Sequence, residues 1–98
     1  MKTTGEYINI INAHSDELKS KFGVKSLRLF GSTARNQHNE KSDVDVFVDM
    51  PPRIFKIVGL GIYLEDLLGC HVDVVRNHSN MNVFLRNEIE RDGITVFD

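Results

Sequence analysis

Gly31-Ser32-Thr33-Ala34-Arg35 and, after a polar stretch, Ser42-Asp43-Val44-Asp45-Val46 are the two segments that decide the fold of this chain. The first follows an alternating run at residues 24–30, which predicts a strand. The second opens a run to residue 49 in which valines recur at every other position, which predicts another strand. Because residues 36–42 are polar or charged throughout, we expect a loop there, preceded by a short helical turn at residues 33–35.

The rest of the chain predicts helices that alternate with strands. Residues at helical spacing would form one face of a single helix that ends near Gly23, namely Tyr7, Ile11, His14, Leu18 and Phe22. Further helices are expected at residues 54–68, with Gly69 as the stop, and from Asn82 to about Arg91. Strands are expected at residues 71–76 and 94–96. This order predicts an α/β (α+β) fold, a small sheet flanked by helices.

Length, charge and composition limit the class of protein. The chain has 98 residues, which suits one domain spanning residues 1–98. Its 12 basic and 14 acidic residues give a net charge of −2, so we expect no stable binding of nucleic acid. No apolar run approaches the length of a membrane span, and the first residues do not resemble a signal peptide. We therefore expect a cytoplasmic protein, and the single cysteine, Cys70, can form no internal disulfide.

Three aspartates are the candidate metal ligands. Residues i and i+2 of a strand point to the same face, so Asp43 and Asp45 would present carboxylates from Cα atoms roughly 6.5 Å apart. Sites that transfer phosphoryl groups with two metal ions hold those ions about 3.5–4 Å apart with such groups. Asp73 stands in an otherwise apolar strand, where a lone buried charge is costly and a shared metal cluster would satisfy it. Taken singly, Asp43 and Asp45 are also compatible with a solvated strand edge. Asp73 alone is also compatible with a residue at a strand end or with a helix-capping acceptor.

The Gly-Ser turn is the candidate phosphate-binding element. Gly31 lets the backbone approach a phosphate closely, and free N–H groups at the start of the following helix can donate to phosphate oxygens. The hydroxyl of Ser32 adds another donor. Arg35, one helical turn further on, would neutralise more of the charge of a triphosphate.

These segments together resemble the signature of the DNA polymerase beta-type nucleotidyltransferase superfamily. The length of the chain and residues 67–75, Leu-Leu-Gly-Cys-His-Val-Asp-Val-Val, resemble its minimal nucleotidyltransferase branch. The resemblance implies a mixed sheet with flanking helices. The superfamily often has Gly after the arginine, whereas this chain has Asn36, a residue type that tolerates the left-handed backbone conformation.

The resemblance also implies an activity. Asp43, Asp45 and Asp73 would hold Mg²⁺, with two ions expected, and Asp73 would help to deprotonate the acceptor hydroxyl. The substrate would be ATP or another nucleoside triphosphate. Minimal nucleotidyltransferases of this kind are typically paired with an all-helical HEPN-type ribonuclease toxin, to which they add AMP on a tyrosine as its antitoxin. Two alternatives stay open, a catalytically vestigial module that neutralises a partner by contact, and the catalytic subunit of a small-molecule (antibiotic) nucleotidyltransferase.

The histidines are not assigned to the site. His14 is expected to be a partly buried packing residue of the first helix, and His38 a solvated residue of the polar loop. His71 and Cys70 lie next to Asp73 in sequence, but two residues do not make a zinc site.

Overall fold

A computed structural model describes residues 1–98 as five helices and four strands. In chain order the elements are α1 (Thr4–Ala13), α2 (Ser15–Phe22), β1 (Ser26–Phe30), α3 (Gly31–Ala34), β2 (Val44–Asp49), α4 (Ile54–Leu68), β3 (Val72–Arg76), α5 (Val83–Asp92) and β4 (Ile94–Phe97). The alternation of helices and strands that the sequence predicts is therefore confirmed. No helix combines the length and the apolar character that crossing a membrane requires.

The four strands form one mixed sheet in the order β3-β2-β1-β4. β1 pairs antiparallel with β2 and with β4, whereas β2 and β3 run parallel. A parallel pair needs a crossover connection, and α4 supplies it between β2 and β3. This topology puts β3 at one edge of the sheet and brings the starts of β2 and β3 to the same end.

The core lies on one face of the sheet, beneath α1, α2 and α4. Val44, Val46 and Val48 of β2 point into it and are almost completely buried. They pack in one cluster with apolar residues of the helices, among them Ile11 and Leu60. The opposite face is covered only in part. There α5 packs against β1 and α3, with Ile89 buried, and Phe30 at the end of β1 is buried as well.

The single N-terminal helix predicted from periodicity is wrong, because the helix breaks at His14. This residue ends α1 and precedes α2 with φ −108° and ψ 14°, outside the regular helical range. Short polar side chains such as Asn12, Ser15 and Asp16 surround the break, and such side chains compete with the helix for backbone hydrogen bonds. The predicted apolar face survives the break, since Leu18 and the other apolar members are buried. His14 itself is partly buried, as expected.

The predicted ends of the later helices are confirmed. Gly69 follows α4 in the left-handed conformation, with φ 71°. The side chain of Asn82 accepts hydrogen bonds from the backbone N–H groups of Phe84 and Leu85 at the start of α5. α5 therefore begins where an N-cap satisfies the first backbone donors.

Candidate functional site

Strand register brings two of the predicted aspartates side by side. Asp45 of β2 is aligned with Asp73 of β3 on one side and with Phe30 of β1 on the other. These residues alternate with the valines of the core, so they lie on the face of the sheet opposite α4. Asp43 lies one residue before β2, not within the strand as predicted. The parallel pairing of β2 and β3 thus gathers all three aspartates at one end of the sheet.

Asp45 has a perturbed carboxyl group. Its burial, followed by the negative charges of Asp73 and Asp43, raises the pKa of Asp45 from 3.8 to about 6. The charge of Glu88 on α5 adds a smaller contribution in the same direction. In the metal-free protein, the ionised form of Asp45 is therefore disfavoured, and a bound cation would reverse that effect.

Asp73 is not buried, contrary to the expectation from its apolar neighbours. Its side chain is 53% exposed, and that of Asp43 is 46% exposed. The reason is strand order, since β3 is the edge strand and only its inward positions, such as Val72, face the core. The argument that a metal ion must offset the cost of burying a charge therefore does not apply to Asp73. Its exposure instead leaves the carboxylate accessible to a molecule that approaches from solvent.

His71 is a member of the cluster that sequence reasoning set aside. Its Nδ1 lies 3.3 Å from Oδ1 of Asp43 and 3.8 Å from Oδ1 of Asp73, and its Nε2 lies 3.6 Å from Oε2 of Glu65. One ligand atom each from Asp43, His71 and Asp73 falls within 4.8 Å of the others. The same carboxylate oxygen of Glu65 accepts a hydrogen bond from the backbone N–H of Val72. The spacing of His71 and Asp73 could have indicated this, because residues i and i+2 of an extended segment point to the same face, as for Asp43 and Asp45.

Gly31 is packed directly against the carboxylate of Asp45. It has φ +71°, and a Cβ atom at this position would clash with Oδ2 of Asp45. Glycine is therefore required here for two reasons: the backbone is left-handed, and it approaches a carboxylate closely. Ser32 and Thr33 follow in the first turn of α3, whose backbone N–H groups have no partner within the helix. The structure thus places the predicted phosphate-binding turn beside the aspartates.

Arg35 is held by α5. Its Nη1 lies 3.3 Å from Oε1 of Glu88 and 3.6 Å from Oδ2 of Asp92, and its Nε donates to Oε1 of Gln37. A triphosphate would have to compete with these acidic groups for the guanidinium. The next residue, Asn36, has φ 57°, the left-handed conformation that an asparagine tolerates.

The loop between α3 and β2 is tied to the N-terminal segment. His38 was expected to be solvated, but it is half-buried and its Nε2 lies 2.7 Å from the carbonyl oxygen of Lys2. Its ring also lies 5.8 Å from that of Tyr7. Thr4 adds a hydrogen bond from its hydroxyl to the carbonyl oxygen of Thr33. These contacts attach the start and the first half of the loop that leads into Asp43 to the N-terminal segment.

Comparison with known families gives matches along nearly the whole chain. A family model described as a nucleotidyltransferase domain matches residues 11–97. A protein of Methanocaldococcus jannaschii named "Putative protein adenylyltransferase" is 41% identical over 98 residues, which are 98% of this chain and 100% of that protein. The protein adenylyltransferase MntA of Thermococcus cleftensis is 43% identical over 81 residues, which are 81% of this chain and 82% of that protein.

Solved structures share the fold. One described as "Structure of putative minimal nucleotidyltransferase" has a TM-score of 0.76 at 28% identity and covers 95% of each chain. A chain in a complex of a tri-AMPylated Shewanella oneidensis HEPN toxin with an MNT antitoxin has a TM-score of 0.65 at 18% identity. That match covers 92% of this chain and 71% of the other, and it is a likeness of fold alone.

Proposed function

Because the chain belongs to the nucleotidyltransferase domain family, and within it is a protein of the minimal nucleotidyltransferase type, we propose that this enzyme transfers AMP from ATP to a hydroxyl group of a partner protein. The observation that carries the proposal is the convergence of Asp43, Asp45 and Asp73 beside the Gly31 turn. Carboxylates next to a phosphate-binding turn suit phosphoryl transfer, in which catalysis consists mainly of positioning and of charge stabilisation.

The three carboxylates fit Mg²⁺. All offer oxygen donors, which this hard cation prefers, and the raised pKa of Asp45 reflects its burial and the neighbouring negative charges of Asp73 and Asp43. We assign Asp43, Asp45 and Asp73 as the ligands of two ions. When bound, the ions neutralise charge on the phosphates and stabilise the attacking and leaving oxygens. His71 borders the same space and would compete with a cation for Asp43.

The residues of the chain then have separate tasks. Backbone N–H groups of the Gly31–Ser32 turn and the Ser32 hydroxyl donate to the phosphates of ATP. Arg35 adds positive charge near the triphosphate once it leaves Glu88. Asp73, on the exposed edge strand, accepts the proton of the acceptor hydroxyl. The acceptor oxygen forms a bond to the α-phosphorus as the bond between that phosphorus and the bridging oxygen breaks, and pyrophosphate leaves.

A protein acceptor suits the open geometry of the site. Asp43 and Asp73 are about half exposed, and no further element of the chain closes over them. A small acceptor would gain little from so open a surface, whereas a partner protein could bring its own hydroxyl and exclude water. By family resemblance the partner is a helical HEPN-type toxin and the acceptor is a tyrosine. The name of the MntA relative, a protein adenylyltransferase, supports the same class of reaction.

The test is a transfer assay with a helical HEPN-type protein as the acceptor. We expect purified chain, ATP and Mg²⁺ to add AMP to a tyrosine of that protein, detected as a mass increase and located by peptide mapping. Omission of Mg²⁺ should abolish the product. Tight binding of the partner without any AMP addition would favour the contact-only antitoxin instead.

A further inference from the structure

Exposed apolar side chains concentrate on the outer face of α4. Phe55 is 90% exposed, and Val58 and Ile62 are each more than half exposed. Spacings of three and four residues place these side chains in one row along the helix, with Ile54 beside it at the start of α4. We call these four residues the apolar stripe. Single exposed apolar residues are common on proteins, but a continuous apolar surface indicates a site of interaction with another molecule.

The apolar stripe is not the side of α4 that forms the core. That side carries Leu60, Leu64 and Leu68, which are buried. Lys56 is the one charged residue between residues 54 and 64, so α4 is apolar on its inner and on its outer side. A helix at the surface of a globular domain normally presents polar residues outward, and a helix that is apolar all round is normally buried. The outer side of α4 therefore has the composition of a surface that a further protein covers.

Residues of opposite charge stand at the two ends of the apolar stripe. Lys56 lies in the first turn of α4 and Asp66 in the last, both are exposed, and neither takes part in an ion pair of the chain. Each is three residues from one of Gly59 and Tyr63 and seven residues from the other, so all four lie on one side of the helix. This is the side next to α2, because Gly59 and the ring of Tyr63 both lie against Phe22. Along this side, α4 is positive at its start and negative at its end.

We propose that the apolar stripe binds the apolar stripe of a second copy of this chain, so that the two α4 helices pack antiparallel around a two-fold axis. In such a pair, the same side of each helix adjoins the same side of the other, in the reverse direction. Lys56 of each copy then faces Asp66 of the other, which gives two equivalent ion pairs. The axis passes midway between residues 56 and 66, so the two Ile62 side chains meet near the centre of the contact. A second copy thus offers both the apolar surface and the opposite charges that match α4.

The dimer leaves the candidate site free and is expected to be weak. Asp45 and Asp73 lie on the face of the sheet opposite α4, so the two sites face away from the contact between the copies. α4 has 15 residues and a length of about 22 Å, which restricts the contact to the small end of protein interfaces. We therefore expect a reversible dimer with a Kd in the micromolar range.

Sedimentation equilibrium of the full chain without nucleotide tests the dimer, and its result does not depend on the proposed function. We expect a monomer–dimer equilibrium. Ile62→Glu should raise the dimer Kd at least about tenfold, because it puts two like charges at the centre of the contact. Phe84→Glu is the matched control and should leave the Kd unchanged, since Phe84 is 80% exposed on α5, outside the apolar stripe. Both positions are exposed, so neither substitution should lower the melting temperature of the monomer.

Charge exchange tests the antiparallel arrangement. Lys56→Glu and Asp66→Lys should each weaken the dimer, because each places like charges together at two positions, and the double variant should restore the dimer. A wild-type chain that stays monomeric up to about 0.5 mM would overturn the proposal. A dimer that Ile62→Glu leaves intact, or a double variant as weak as the single variants, would overturn it as well. A monomeric chain whose binding to a HEPN-type protein is lost in Ile62→Glu would assign the apolar stripe to that partner and refute the dimer.

Discussion

At the scale of single residues, Asp45 joins the proposed phosphate-binding turn to the other two proposed metal ligands, Asp43 and Asp73. It touches Gly31 on one side and is aligned with Asp73 on the other. The folded chain therefore keeps a carboxylate in a partly buried and negatively charged place, where its ionisation costs more than in water and a bound cation would favour it. Such local cost is typical of sites built for binding and not for stability.

This cost predicts a pH dependence of stability in the metal-free protein. The pKa of Asp45 is raised from 3.8 to about 6, so the folded chain binds the proton more tightly than the unfolded chain. The stabilisation is complete below about pH 4 and is lost as the pH rises through about 6. Urea denaturation in a chelator between pH 4 and 7 should show this fall, and Asp45→Asn should flatten it. An identical pH slope in Asp45→Asn would assign the effect to other groups.

Asp73 has two possible tasks that kinetics can separate. As acceptor of the hydroxyl proton it matters only when the acceptor attacks, so its loss should slow chemistry and spare binding. We expect Asp73→Asn to bind Mg²⁺–ATP within a few-fold of the wild type and to transfer AMP at least about 10²-fold more slowly. Single-turnover transfer measured beside equilibrium binding makes the distinction. Wild-type transfer by this variant would remove Asp73 from the site.

At the scale of elements, α5 restrains α3 through the side chain of Arg35. The ion pairs of Arg35 with Glu88 and Asp92 lie at the surface, where such pairs contribute little to stability. The guanidinium can therefore exchange these acids for phosphate at small cost. α5 thus holds the guanidinium of Arg35 beside the Gly31–Ser32 turn in the free enzyme.

This arrangement predicts opposite effects of substitutions at Arg35 and at Glu88 on nucleotide affinity. Arg35→Ala should weaken ATP binding more than Ser32→Ala, because a charge is lost as well as a donor. Glu88→Gln should strengthen ATP binding, since it removes one of the two acidic partners of Arg35 and a negative charge that acts on Asp45. Calorimetric titration of the three variants is the measurement. An unchanged dissociation constant in Arg35→Ala, together with a lower melting temperature, would make Arg35 a structural residue only.

Sequence reasoning succeeds for the elements whose signals are local. Alternating valines mark β2, Gly69 marks the end of α4, and Asn82 caps α5. It fails where the outcome depends on partners distant in the chain. The apolar face of the first helix continues across the break at His14, so periodicity cannot detect the break.

The same limit applies to the candidate site. Asp73 has apolar neighbours in sequence, but its exposure follows from the position of β3 at the sheet edge. The approach of His71 to Asp43 likewise depends on the pairing of β2 with β3. Gly31 was assigned to phosphate binding, and its packing against Asp45 is a further constraint that only the structure reveals.

At the scale of the whole molecule, the two faces of the sheet have different roles: one forms the core and the other carries the candidate site. α1, α2 and α4 bury the core on one face. The other face carries Asp45 and Asp73, and α5 packs on it beside β1 and α3. An enzyme with one covered and one open face is suited to a large acceptor that completes the site from outside.

The most direct test of the proposed AMP transfer follows the α-phosphate and the γ-phosphate of ATP separately. The chain and the proposed HEPN-type acceptor protein are incubated with Mg²⁺ and ATP labelled at either the α- or the γ-phosphate, using wild type, Asp43→Asn and Asp45→Asn. We predict that the partner acquires label from the α-phosphate only, and that both variants abolish this transfer while keeping the fold and the melting temperature of the metal-free protein, or raising the latter. Label from the γ-phosphate, or undiminished α-label with both variants, would contradict the account.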